Sequence, residues 1–187
     1  MLQPVHALDE TATLLMSLRG VWDEQAVDEL DHALQSAARA IDDGADDELV
    51  LAAALHDLAH SPMFDAAAAT RHDATARDWL TPRFGERVGW LAGAHVAAKR
   101  YLVATEPGYG SALTQTSVLS LHAQGGAGVD AALTSHPWWP DALRLRRYDD
   151  AAKDPKARGV PISDVLTIAE RVMAQRQSGR ESGGESA

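Results

Sequence analysis

The sequence predicts an all-α protein built as a single domain. Alanine and leucine dominate its 187 residues, and β-branched residues come singly rather than in alternating runs. Several long stretches also space their apolar positions as a helix would. The length suits one well-buried core and is short for two. The domain is expected to span residues 1–175, and the Gly/Ser-rich end, residues 176–187, is expected to be a disordered polar tail.

Taken in order, a first helix is expected from about Thr11 to Arg19 and a second from about Glu24 to Asp42, closed by Gly44. A third enters through Asp46 and should stop at Ser61-Pro62, because proline cannot continue a helix interior. A fourth, "RHDATARDWL", should end before Pro82, and a fifth, "GERVGWLAGAHVAAKRYLVA", should reach about Ala104. The Gly, Ser and Thr-rich passage that follows has room for one short helix in its middle. "PDALRLRRYDDAAK" places proline at a helix start, and "ISDVLTIAERVMAQRQ" is the last helix. No internal repeat is visible.

Charge and composition narrow the function. A formal net charge of −10, from 17 basic against 27 acidic residues, argues against nucleic acid or an anionic membrane surface as partner. The absence of cysteine rules out disulfides, iron–sulfur clusters and thiolate zinc, so any metal must be held by nitrogen and oxygen. The first residues, "MLQPVHALDE", have neither a basic leader nor an apolar run, and no segment approaches a membrane span. A soluble, cytoplasmic protein is expected; nothing in the sequence indicates its oligomeric state.

The informative stretch is "DDELVLAAALHDLAH", Asp46 to His60. It reads as a helix entering a core, yet it sets His56, Asp57 and His60 where burial should be deepest. A carboxylate buried alone costs several kcal/mol, so the segment needs a compensating partner, and a cation suits a histidine beside an aspartate. Taken alone, the pair fits a solvated surface dipeptide equally well. Other ligand-type residues are embedded in apolar helices, however: His32 among Leu30, Ala33, Leu34 and Ala37, His95 in "WLAGAHVAAKRYL", His72 at a helix start, and Asp149 after Leu143, Leu145 and Tyr148. One such histidine would be an ordinary hydrogen-bonded core residue; together with two aspartates, four of them point to a metal centre.

The order His32, His56-Asp57, Asp149 resembles the HD-domain superfamily of helical metal-dependent enzymes, and His72 and His95 match the histidines that its dinuclear members add. Six protein ligands exceed what one octahedral ion accepts with room for substrate, but suit two ions bridged by Asp57. "LDHALQSA", "GADDELVLAAALHDLAH", "HVAAKRYLV" and "LRLRRYD" resemble more narrowly the HD-domain mixed-valent di-iron oxygenases that cleave the carbon–phosphorus bond of 1-hydroxyphosphonates, over roughly Trp22 to Asp149. The resemblance implies an HD-domain helical bundle, two iron ions as an Fe(II)/Fe(III) pair, O2 and a small phosphonate as reactants, and phosphate and a carboxylic acid as products.

Neighbouring residues fit an anion. Lys99 lies four residues after His95 and Arg146 three before Asp149, so each cation shares a helix face with a proposed ligand. A phosphonate suits a lysine, a guanidinium and small donors. Ser117 matches a family position that contacts the phosphonate, and His60 lies one turn after His56. In a relative whose substrate carries an amine, a tyrosine and a glutamate precede the first histidine; here Trp22 and Gln25 stand at those places. Neutral glutamine cannot pair with an ammonium group, so a substrate without the 2-amino group is expected, unless Asp23 or Glu24 takes that place. The alternatives are an HD phosphohydrolase acting on a phosphomonoester or nucleotide, and a non-catalytic HD-fold ligand sensor.

Overall fold

The centre of the molecule is a helix with no solvent face. In the computed structural model, which describes residues 4–23 and 26–183, α3 (Asp47–Leu55) runs through the core with Leu49 to Leu55 all buried. Being apolar on every side, it needs neighbours on every side. These are α2 (Glu29–Asp42), α6 (Glu86–Thr105), α10 (Trp139–Ala151) and α11 (Ile162–Gly183). The outer elements are α1 (Pro4–Ser17) against α11, and α5 (His72–Phe84) along α6. Four short helices, α4 (Ala66–Thr70), α7 (Tyr109–Ala112), α8 (Gln115–Ala123) and α9 (Ala131–Thr134), complete the described residues, among which there is no strand. None of the described helices is long and apolar enough to cross a membrane.

Local chemistry explains most of the boundaries. Asp28 caps α2 by accepting from Asp31 N, and Asp46 caps α3 by accepting from Leu49 N. Gly44, at φ +67°, ends α2 in the left-handed conformation that glycine adopts without strain. Small residues let α5 and α6 close on each other: a Cβ at Gly89 would lie 2.1 Å from Thr81 Oγ1, so only glycine fits there.

The structure differs from the expected elements in instructive places. Helix α1 spans Pro4–Ser17, earlier than Thr11 to Arg19, and α2 begins at Glu29 rather than near Glu24, which lies outside the described residues. Pro82 sits inside α5 rather than ending it. So near the end of the helix proline costs a single backbone hydrogen bond, and the chain turns only at Gly85, φ +110°. Helix α3 stops at Leu55, well before Ser61-Pro62, and a 3-10 turn covers Leu58–His60. That tighter winding changes the direction in which Asp57 and His60 project. Helix α11 continues to Gly183, through most of the expected polar tail; residues 184–187 lie outside the described residues. Once Val165, Ile168, Ala169 and Val172 anchor it to the core, further helical residues add at little cost.

Candidate metal centre

Five helical segments bring the expected ligands to one place. His32 comes from α2, His56 and Asp57 from the end of α3, His72 from the start of α5, His95 from α6 and Asp149 from α10. Asp57 stands in the middle. Its Oδ2 faces His56 Nε2 at 3.1 Å and His32 Nε2 at 3.6 Å. Its Oδ1 faces His95 Nε2 at 3.4 Å, His72 Nε2 at 3.7 Å and His60 Nε2 at 3.9 Å. Asp149 closes the first group, with Oδ1 at 3.5 Å from His32 Nε2 and Oδ2 at 3.6 Å from His56 Nε2. The carboxylate of Asp57 thus divides the imidazoles into two sets.

Backbone carbonyls decide which ring nitrogens face inward. His32 Nδ1 lies 3.1 Å from Ala152 O, His56 Nδ1 2.8 Å from Ala53 O, and His95 Nδ1 2.5 Å from Ala92 O. A carbonyl only accepts, so each Nδ1 carries the hydrogen and each Nε2 turns a bare lone pair inward when the ring is neutral. His32 Nε2 and His56 Nε2 are then 3.4 Å apart, and His72 Nε2 and His95 Nε2 3.1 Å apart. Asp57 Oδ1 is buried and accepts no hydrogen bond from any described group. Lone pairs and carboxylate oxygens at such distances repel unless positive charge lies among them. The residues therefore fit metal ions, with His32, His56, Asp57 and Asp149 available to one and Asp57, His72 and His95 to a second. His60 also lies within reach of the second, its donor atom grouping with those of Asp57 and His72.

Protonation is the other way to supply that charge, and the two sets differ in it. Burial opposes charging His56, but Asp57 and Asp149 outweigh it and hold its pKa well above the ordinary value. His32, likewise buried, is raised by the same two carboxylates. Burial dominates at His72, whose pKa falls to about 4. Burial works against ionising Asp57 and Asp149, yet both stay well below the usual range, Asp57 through the imidazoles around it and Asp149 through Arg146 and Lys153.

The centre opens on a cavity of about 270 Å³ whose wall also carries the basic residues Lys99, Arg146 and Lys153. Lys99 is buried and donates to Ser120 Oγ at 2.7 Å. Burial, reinforced by the Arg146 charge, brings its ammonium down to about 8, so it remains largely protonated at neutral pH. Arg146, also buried, pairs with Asp149 and Asp150. Ser117 lies at the same wall, 3.0 Å from Lys153 Nζ, and His60 is part of the lining.

One expected contact stands apart from this group. Trp22 is 63% exposed and lines neither the cavity nor the core; its neighbour Asp23 reaches the rim instead, its carbonyl 3.5 Å from Thr116 Oγ1. Counting back from His32 assumes a rigid segment, whereas the described chain turns after α1, where Gly20 N and Arg19 donate to Asp28. Gln25 lies outside the described residues. Sequence reasoning missed Lys153, Ser120 and Glu29. Lys153 is one turn beyond Asp149, the same offset that identified Lys99 beyond His95. Glu29 is buried one turn before His32, with Oε2 unpaired and its pKa pushed up to about 7 by burial.

No protein-family model matches the chain. Comparison with individual proteins is more informative. The chain is 34% identical over 152 residues to a hydroxymethylphosphonate dioxygenase of Gimesia maris, covering 76% of this chain and 74% of that protein. It is 33% identical over 132 residues to a [1-hydroxy-2-(trimethylamino)ethyl]phosphonate dioxygenase (glycine-betaine-forming) of Leisingera caerulea, covering 66% and 67%. An uncharacterized protein, L432, of Acanthamoeba polyphaga mimivirus is 32% identical over 136 residues, covering 67% of this chain and 62% of its own. With an all-helical fold and a histidine–aspartate cluster in the expected order, the chain belongs to the family of HD-domain phosphonate dioxygenases.

Proposed function

We propose that this protein is an O2-dependent oxygenase that cleaves the carbon–phosphorus bond of a 1-hydroxyphosphonate, giving phosphate and a carboxylic acid. The observation that carries the reading is the juxtaposition within one cavity of a divided donor set, centred on Asp57, and a basic wall of Lys99, Arg146 and Lys153. His32, His56, Asp57 and Asp149 would hold one iron and Asp57, His72 and His95 the other. An Fe(II)/Fe(III) pair bound there supplies the one-electron chemistry with O2 that side chains lack. Imidazole and carboxylate donors suit iron, with no thiolate to favour softer metals.

The protein's own groups do the rest. Lys99, Arg146 and Ser117 receive the phosphonate oxygens, with Lys153 and Ser120 orienting Ser117 and Lys99 through their mutual hydrogen bonds. This anchors C1 beside the metal pair. His60, 3.9 Å from Asp57 Oδ1 and lining the same cavity, would hold the phosphonate with Lys99, Arg146 and Ser117. The substrate we propose carries no 2-amino group. Among the described residues, the acid lining the cavity besides Asp57 and Asp149 is Asp23, which is exposed, so water screens its attraction for an ammonium.

Iron-loaded protein given hydroxymethylphosphonate should consume O2 and release phosphate in equal amounts, and should stop under anaerobic conditions. Metal analysis should find a pair of irons per chain, with a spin-coupled Fe(II)/Fe(III) resonance that changes when the substrate is added. Phosphomonoester or nucleotide hydrolysis without O2, sustained by Mn(II) or Mg(II), would make the protein a hydrolase instead. Tight phosphonate binding with no O2 uptake on any 1-hydroxyphosphonate would make it a sensor.

A further inference from the structure

The guanidinium of Arg146 is held in a closed ring of hydrogen bonds. Its Nε donates to the Tyr109 hydroxyl at 2.9 Å, the hydroxyl donates to Asp150 Oδ2 at 2.5 Å, and Asp150 Oδ1 accepts from Arg146 Nη2. A phenol has one proton, so accepting from Nε and donating to Asp150 fixes the direction of the ring. Outside it, Nη1 donates to Asp149 Oδ2. A guanidinium has five N–H bonds, and these contacts take three, leaving one on each Nη. Tyr109 and Asp150 do not line the metal cavity. They line a separate cleft of about 300 Å³ with Leu113 and Arg147, whereas Arg146 lines the metal cavity itself.

We propose that Tyr109 and Asp150 are positioning residues for phosphonate binding: they hold the Arg146 plane so that its two remaining N–H groups are presented together to the anion. The inference rests on reading the cavity as a phosphonate site. An unrestrained arginine must give up rotamer freedom each time a ligand binds, at a cost of about three- to tenfold in affinity. Tyr109 comes from α7 and Asp150 from α10, so the ring also ties the polar passage after α6 to the helix that carries Asp149. Because Arg146 would hold the phosphonate equally before and during reaction, loosening it should raise KM and leave kcat nearly unchanged.

The test is calorimetric titration of the metal-loaded protein with methylphosphonate, which lacks the hydroxyl needed for turnover, alongside steady-state kinetics. Tyr109→Phe keeps the ring packing and removes only the hydroxyl. It should weaken methylphosphonate about three- to tenfold and raise KM by a similar factor, with kcat within about twofold and metal content unchanged. Asp150→Asn should weaken binding as well and serves if Tyr109→Phe does not fold. In an Arg146→Lys background, whose ammonium cannot complete the ring, Tyr109→Phe should have no further effect. Variants that bind like wild type overturn the proposal, as does a Tyr109→Phe loss that persists undiminished in Arg146→Lys. Wild-type protein that binds neither methylphosphonate nor inorganic phosphate overturns the phosphonate reading itself. Wild type that binds while the variants match it overturns only the positioning role.

Discussion

Helix α3 is crowded with carboxylates at both ends, but the two ends are neutralised differently. At its start, Asp46 and Glu48 meet Arg87, which also takes Asp141, at 2.8–3.0 Å, and Asp47 meets Arg171 at 2.6 Å. Every one of those acids has a guanidinium from another helix, and most have access to water. At its other end, Asp57 is surrounded among the described residues by imidazoles alone, and Asp149 has Arg146 and Lys153 beside two of those same imidazoles, His32 and His56. Charge that serves only the fold is thus matched by permanent cations. The charge around Asp57 is left for something that binds, whether a proton or a metal ion.

The largest test of that contrast is Asp57→Asn. Removing the carboxylate between the two imidazole sets should reduce iron from a pair per chain to one ion or none by metal analysis. Activity should fall by more than the roughly 10–100-fold that loss of an outer hydrogen-bonding partner costs. Retained iron and activity would show that Asp57 is merely a buried structural acid.

Removing the metal should come next in size. If the iron pair binds with free metal near a thousand times its dissociation constant, chelation should cost about 4 kcal/mol, or roughly 8–16 °C of melting temperature at this chain length. The metal-free protein should also acquire its own pH dependence. With folded pKa values raised above the unfolded value of about 6.5, His32 and His56 stabilise fully below that pH. This contribution disappears as pH rises through the raised values, while Asp57 and Asp149, with lowered pKa values, stay ionised throughout that window. Metal-free protein should therefore lose melting temperature from about pH 6.5 upward, a slope that bound iron abolishes. A flat profile in the metal-free protein would contradict the account.

At the other end, Arg87→Met takes the cation from Asp46 and Glu48, leaves Asp141 with Arg144, and should cost about 1–3 kcal/mol, read as a lower melting temperature with iron content untouched. Iron loss in this variant would show that the two ends are coupled. Arg171→Gln should have the smallest effect, under about 1 kcal/mol and smaller still in high salt, because its pair with Asp47 is half exposed. A larger change there would place that pair in the core.

Several features were legible because they are local. Asp46 as a cap, Gly44 as a stop and Pro140 near a helix start act through backbone groups within a turn of themselves, so the sequence sufficed to find them. The ligand candidates were visible for a related reason: histidine and aspartate in apolar helical phase conflict with the core unless something compensates them. Pro82 misled because the cost of one lost hydrogen bond is decided by where the helix packs, not by the residue. Trp22 misled because offset along the chain stands for position in space only within one rigid element.

Residue type and periodicity determined by themselves that the chain is helical, that any metal must be held by nitrogen and oxygen, and that Lys99 and Arg146 share helix faces with candidate ligands. Only the tertiary structure decided that Asp57 divides the imidazoles into two groups, that Lys153 and Ser120 join the basic wall, and that Tyr109 and Asp150 hold Arg146. The reason is distance along the chain. His32 meets Asp149, and Tyr109 meets Arg146, only after α2, α6, α7 and α10 have packed, and helical spacing carries no information about which faces of separate helices will meet.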